Sequence, residues 1–152
     1  MKGIGVFVVV LLVALGVTSY VVTRAPERQL DDEGEAWVSA YEGWNTTNLR
    51  ELEDALLHMD FGARARNARL IEPLRRCSAS FTRIGEPPEV LEDVHRIVLE
   101  GCARAEHAVR LNDRFGAASL ATIKLHLGEA EDRLLVAQRT LRTALGEEAS
   151  TS

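Results

Sequence analysis

The sequence predicts an all-α protein: an N-terminal transmembrane or signal helix followed by an up-down-up-down four-helix bundle. Three observations predict it. Gly3 to Val22 carries no charge in 20 positions. From about Asp31 onward, apolar residues recur at spacings of three and four, the period of a helix, with no strand-like alternation. Gly and Pro fall mostly between the periodic blocks.

The first element is the run "GIGVFVVVLLVALGVTSYVV". At about 1.5 Å per residue it matches the roughly 30 Å hydrocarbon layer of a bilayer. It is apolar all round, unlike the amphipathic helices after it, so it does not read as a core helix. Two readings stay open. One is an uncleaved anchor through residues 3–22. The other is a signal peptide with its apolar region at Ile4 to Val17 and a small-residue site at Val17-Thr18-Ser19. The apolar run continues past Ser19 through Val22, which favours the anchor. Lys2 on one side and Arg24 and Arg28 on the other nearly balance the positive-inside count. Short amino-terminal tails usually stay inside. The expectation is therefore a single-pass cell-membrane protein with residues 24–152 extracytoplasmic, or a secreted one if the segment is cleaved. The domain division follows: 1–23 anchor or signal, 24–30 linker, 31–146 bundle, 147–152 flexible tail.

The first bundle helix is expected over 31–59, with the inward stripe Trp37, Tyr41, Trp44, Asn48, Leu52, Ala55 and Met59. Acids crowd its first turn, where the helix dipole favours them. Its middle, "GWNTTN", is a poor helix former, with Asn48 and Glu51 placed to cap a restarted helix. The second is expected over 61–81, with Leu70, Leu74, Cys77 and Phe81 inward and Pro73 bending it. After the breaker "RIGEPPE" the third starts near Pro88, with Leu91, Val94, Val98, Gly101 or Cys102, Ala105 and Ala108 inward. "NDRFG" is expected to turn the chain. The fourth, over 117–145, has the most regular stripe: Leu120, Ile123, Leu127, Ala130, Leu134, Ala137, Leu141 and Ala144.

Charge excludes some functions and suggests one pairing. The net charge of −5 argues against a nucleic-acid partner. Residues 31–60 carry nine acids and one Arg, whereas 61–84 carry six Arg and one Glu. Adjacent antiparallel helices of opposite sign suit each other, although each exposed pair contributes only about 0–1 kcal/mol.

Cys77 and Cys102 both fall on inward stripes, and outside the cytoplasm two such cysteines usually pair. A tight turn near Glu86 would set Cys77 opposite His95, about seven residues or roughly 10 Å from Cys102. A disulfide, which needs Cα atoms within about 7 Å, then requires Thr82 to Pro87 to run extended. The alternative is two buried free thiols. The absence of Cys-x-x-Cys argues against redox catalysis.

No metal or cofactor is expected. Glu92-x-x-His95 is half of a di-iron bundle signature, and no second copy exists. His58, His95, His107 and His126 read as flanking or surface residues. Trp37, Tyr41 and Trp44 form an aromatic face that reads as core, or as the lining of a small-ligand site. Arg69, Arg76 and Arg83, seven apart, read as a solvated row or an anionic contact. Asn45-Thr46-Thr47 matches a glycosylation triplet inside a helix. Neither a Ser-His-Asp order nor a phosphate loop is present.

The stretch "IGEPPEVLEDVHRIVLEGCARAEHAV" resembles a loose group of bacterial extracytoplasmic helical-bundle proteins, often lipoproteins. Pro87, Pro88, His95, Gly101 and Ala105 carry the likeness. The resemblance implies location and a helical bundle, with no activity attached. This chain lacks the lipid-attachment cysteine of that group. The function expected is a non-catalytic interaction or envelope-associated module; the alternative is a sensor-like bundle binding a small ligand at Trp37, Tyr41 and Trp44.

Overall fold

The computed structural model describes residues 30–61 and 63–146. The expected anchor or signal segment, most of the linker and the expected tail lie outside the described residues. Among those described, no helix is long and apolar enough to cross a membrane.

The described residues are all-α, with four helices and no strands. Helix α1 is Asp32–His58. Helix α2 is composite: α-helical Arg64–Ile71, 3-10 Glu72–Arg76, α-helical Cys77–Phe81 and a 3-10 turn Thr82–Ile84. A 3-10 turn Glu89–Leu91 leads into α3, Glu92–Phe115. A second one, Gly116–Ser119, leads into α4, Leu120–Ala144. Cross-contacts show consecutive helices running antiparallel. Trp37 of α1 meets Gly85 just past α2, Phe81 of α2 meets His95 of α3, and Arg104 and Arg133 link α3 and α4 to Glu129 and Glu100. Helix α1 also packs on α4, so the four enclose one core.

Helix α1 starts where expected, because the Asp31 carboxylate accepts the Gly34 N–H at 2.9 Å, satisfying one orphan donor of the first turn. It does not restart at Asn48. The Asn48 amide donates to the Trp44 carbonyl and Thr47 Oγ1 to the Gly43 carbonyl, so both side chains bond back into the helix rather than cap a new one.

Helix α2 corrects the expected stripe. Pro73 has no N–H to give, and the chain answers by winding more tightly over five residues, into a 3-10 segment. At about 100° per α residue and 120° per 3-10 residue, Asn67, Ile71, Leu74, Cys77 and Phe81 fall within an arc of about 60°. Those five are the buried ones, and Leu70 is only half-buried.

Helices α3 and α4 form the closest-packed pair. Gly101 permits this, since a Cβ there would lie 3.1 Å from the Arg133 Cβ and 3.3 Å from the Ala130 carbonyl oxygen. Of "NDRFG" only Gly116 belongs to the turn. Helix α3 continues through Phe115 and stops at Gly116, whose φ of +55° suits glycine. Asn112 sits within α3 and is buried, which joins that turn of helix to the core.

Candidate functional site

The two cysteines come together. Their Cα atoms are 5.1 Å apart and their sulfurs 2.09 Å, the distance of a disulfide, and both side chains are buried. The extended segment is shorter than expected, because Thr82–Ile84 tightens into a 3-10 turn. From Cys77 the chain climbs about 12 Å to Ile84, whereas from Pro88 to Cys102 it descends about 22 Å. Residues 85–88 bridge the difference of about 10 Å, within the roughly 13 Å that four extended residues span.

An aromatic cluster lies above the pair. The Trp37 and Tyr41 rings stack at 5.5 Å between centroids. Phe81 meets Trp37 and Tyr41 edge-on, lies 4.9 Å from Trp44, and touches the His95 ring on its other side at 5.1 Å. Both indoles are anchored: Trp37 Nε1 donates to the Gly85 carbonyl at 3.3 Å and Trp44 Nε1 to Ser80 Oγ at 2.8 Å. The face expected to be core or ligand lining is thus filled by the protein's own rings. One polar pair inside it is unsatisfied. The Tyr41 hydroxyl and Asn45 Oδ1, both buried, have no hydrogen-bond partner among the described residues. Burial, and then the Glu42 charge, hold the Tyr41 phenol well above its ordinary range, so it stays protonated. Asn45 is 3 % exposed, which leaves the Asn45-Thr46-Thr47 triplet unreachable for glycosylation in the folded chain.

The four histidines do not converge on one point; two of them meet. His58 is exposed, 3.4 Å from Asp54. His107 of α3 and His126 of α4 meet edge to face at 4.6 Å, and His126 Nδ1 lies 3.1 Å from Glu129. No three His, Cys, Asp or Glu side chains among the described residues are grouped to hold a metal ion.

Arg69, Arg76 and Arg83 are all exposed on α2. The faster 3-10 winding swings Arg76 and Arg83 roughly 80–100° round from Arg69, so they form a broad outer band rather than a straight row. The expected pairing of α2 arginines with α1 acids is nearly unused. Asp60, just after α1, pairs with Arg66. Arg75 instead pairs with Glu72 in its own helix and, through two hydrogen bonds, with Asp113 of α3. These bonds raise the Arg75 guanidinium and lower the Asp113 carboxyl from their ordinary values.

Sequence reasoning missed a groove of about 400 Å³ between the start of α3 and the end of α4, lined by Val90, Asp93, Val136, Arg139, Thr140 and Thr143. No periodic signal marks it, because, of its lining residues, only Ala144, at the end of α4, belongs to an expected inward stripe. It also missed Asn67, whose amide and carbonyl bond the Asp60 backbone at 2.8 and 3.1 Å and pin the first turn. No protein family, curated protein or solved structure matches the chain.

Proposed function

We propose that this chain is a membrane-anchored extracytoplasmic helical-bundle protein, acting as a non-catalytic interaction or envelope-associated module. One observation carries the reading: Cys77 and Cys102, buried and at disulfide distance, tie the bent α2 to α3. Such pairs persist in oxidising compartments and are rare in the cytosol. The uncharged run from Gly3 to Val22 supplies the route out and the anchor. The four helices continue as an up-down-up-down bundle above the membrane. Their polar side chains pair locally in twos and threes at the surface, rather than converging on one point as catalysis requires.

The test is protease accessibility in intact cells combined with alkaline extraction of membranes. The reading expects the chain to stay with the membrane pellet and to be cleaved by external protease. A chain that is released by alkali, or protected until cells are lysed, contradicts it.

A second reading, a small-ligand bundle using Trp37, Tyr41 and Trp44, has one observation in its favour, the unpartnered Tyr41 hydroxyl and Asn45 Oδ1. Against it, Phe81 fills that face. Ligand-induced shifts of the Trp37 and Trp44 indole N–H resonances in a small-molecule screen would support it; silence across the screen counts for the first reading.

A further inference from the structure

We propose that the outer face of α2 docks on anionic lipid headgroups, so that the tethered bundle reclines on the bilayer. The inference rests on the membrane anchor proposed above.

Four carboxylates bordering α2 are engaged, whereas Glu86, just past its end, is exposed and forms no ion pair with a described residue. Asp60 pairs with Arg66, Glu72 and Asp113 both bind Arg75, and Glu106 of α3 accepts the Ser78 N–H at 2.9 Å. That last bond serves the restarted α-helical segment after the 3-10 stretch. Arg69, Arg76 and Arg83 remain exposed, and none forms an ion pair with a described residue. They are spread over about 25 Å of helix, with the low side chains Pro73 and Ala79 between them. A broad cationic band of low relief fits a plane of anionic headgroups better than it fits a concave site.

The tether is placed to let this happen. Trp37 near the start of α1 bonds the Gly85 carbonyl, so the chain enters the bundle beside the Arg83 end of the band. Residues 23–29 span at most about 25 Å. That is enough slack for the bundle to tip onto its α2 side. At the far end of α2, Phe61 is 76 % exposed, an aromatic ring available to enter the headgroup layer. Helix α4 packs on α1 and α3 and sits diagonally across from α2.

The test uses the full chain in nanodiscs of phosphatidylcholine, with or without about a third phosphatidylglycerol, carrying a paramagnetic headgroup lipid. Amide relaxation enhancement is read at residues 69–83 and, as a control, at the exposed residues of 132–139. The proposal expects enhancement concentrated on 69–83 in the anionic discs and lost at high salt. Each arginine near an anionic surface contributes enough that Arg69→Gln, Arg76→Gln and Arg83→Gln together should lower the docked-to-free ratio on the order of 100-fold. Equal enhancement on both faces, or enhancement that the triple substitution or removal of phosphatidylglycerol leaves unchanged, overturns it. Incorporation into neutral discs reads the anchor separately. If the chain does not enter them, cosedimentation with phosphatidylglycerol vesicles, wild type against triple variant, reads the α2 face alone.

Discussion

Cys77 and Cys102 stand with their Cα atoms 5.1 Å apart although a tight turn would have set Cys77 opposite His95. The chain reaches this register by placing Phe81, not Cys77, against His95 and by letting residues 85–88 run without helix. Pairing the sulfurs closes a loop with a sequence separation of 25, which in the chain-entropy account stabilises the fold by about 3.5 kcal/mol. Cys77→Ser with Cys102→Ser should lower the urea midpoint accordingly. Because both sulfurs are buried, reduction of the native chain should be slow until denaturant is added. Rapid reduction without denaturant would contradict the buried register.

The Tyr41 hydroxyl is buried without a partner. A buried unpaired hydroxyl costs about 1–3 kcal/mol. Tyr41→Phe should therefore be neutral or stabilising in equilibrium unfolding, against the usual direction for a core substitution. Trp44→Phe should destabilise by about 1–2 kcal/mol, since it removes the Ser80 bond and part of the packing on Phe81.

Gly85 has φ +106° and ψ −177°, a conformation open almost only to glycine. Gly85→Ala should cost about 1–3 kcal/mol. The cost should be accompanied by a shifted Trp37 indole N–H resonance, because the Gly85 carbonyl is its acceptor. A stability loss with that resonance unmoved would mean the bond does not hold the turn.

Stability should vary with pH in two opposed limbs. Burial raises Glu51 and Glu131 above 4.5, and for Glu131 the charges of Asp132 and Glu53 add to the rise. The folded chain then binds protons more tightly than the unfolded one, so stability increases as pH falls from neutral toward 4.5. Asp113 is lowered from 3.8 by its Arg75 bonds, so its contribution is full above 3.8 and lost as pH falls below it. The Arg75–Asp113 pair is about half exposed, so that second limb is shallow. Urea unfolding across pH 2–8 checks both: Glu131→Gln should flatten the first limb and Asp113→Asn the second.

Helices α1 and α4, and α3 as far as Ala108, were legible because single stripes of period 3.6 run through them, although in α1 Asn45 is buried while Trp44, expected inward, is only half-buried. Helix α2 was not, since one proline changed the winding and exchanged Leu70 for Ile71 at the core. The helical run through Asn112–Phe115 was masked by residues that are common in turns, and packing of Asn112 overrode that preference. Of the candidate site residues, the cysteine pairing was readable from two stripes and a compartment argument. The anchoring of Trp37 and Trp44 by Gly85 and Ser80 was not, because those partners lie 48 and 36 residues away with no pattern linking them.

The central claim is an oxidised, membrane-retained bundle. Intact mass of the full chain, isolated from membranes and alkylated in denaturant before and after reduction, tests it most directly. The account predicts a mass that includes residues 1–22, no alkyl groups before reduction and two after. Two alkyl groups before reduction, or a chain beginning after Ser19, would contradict it.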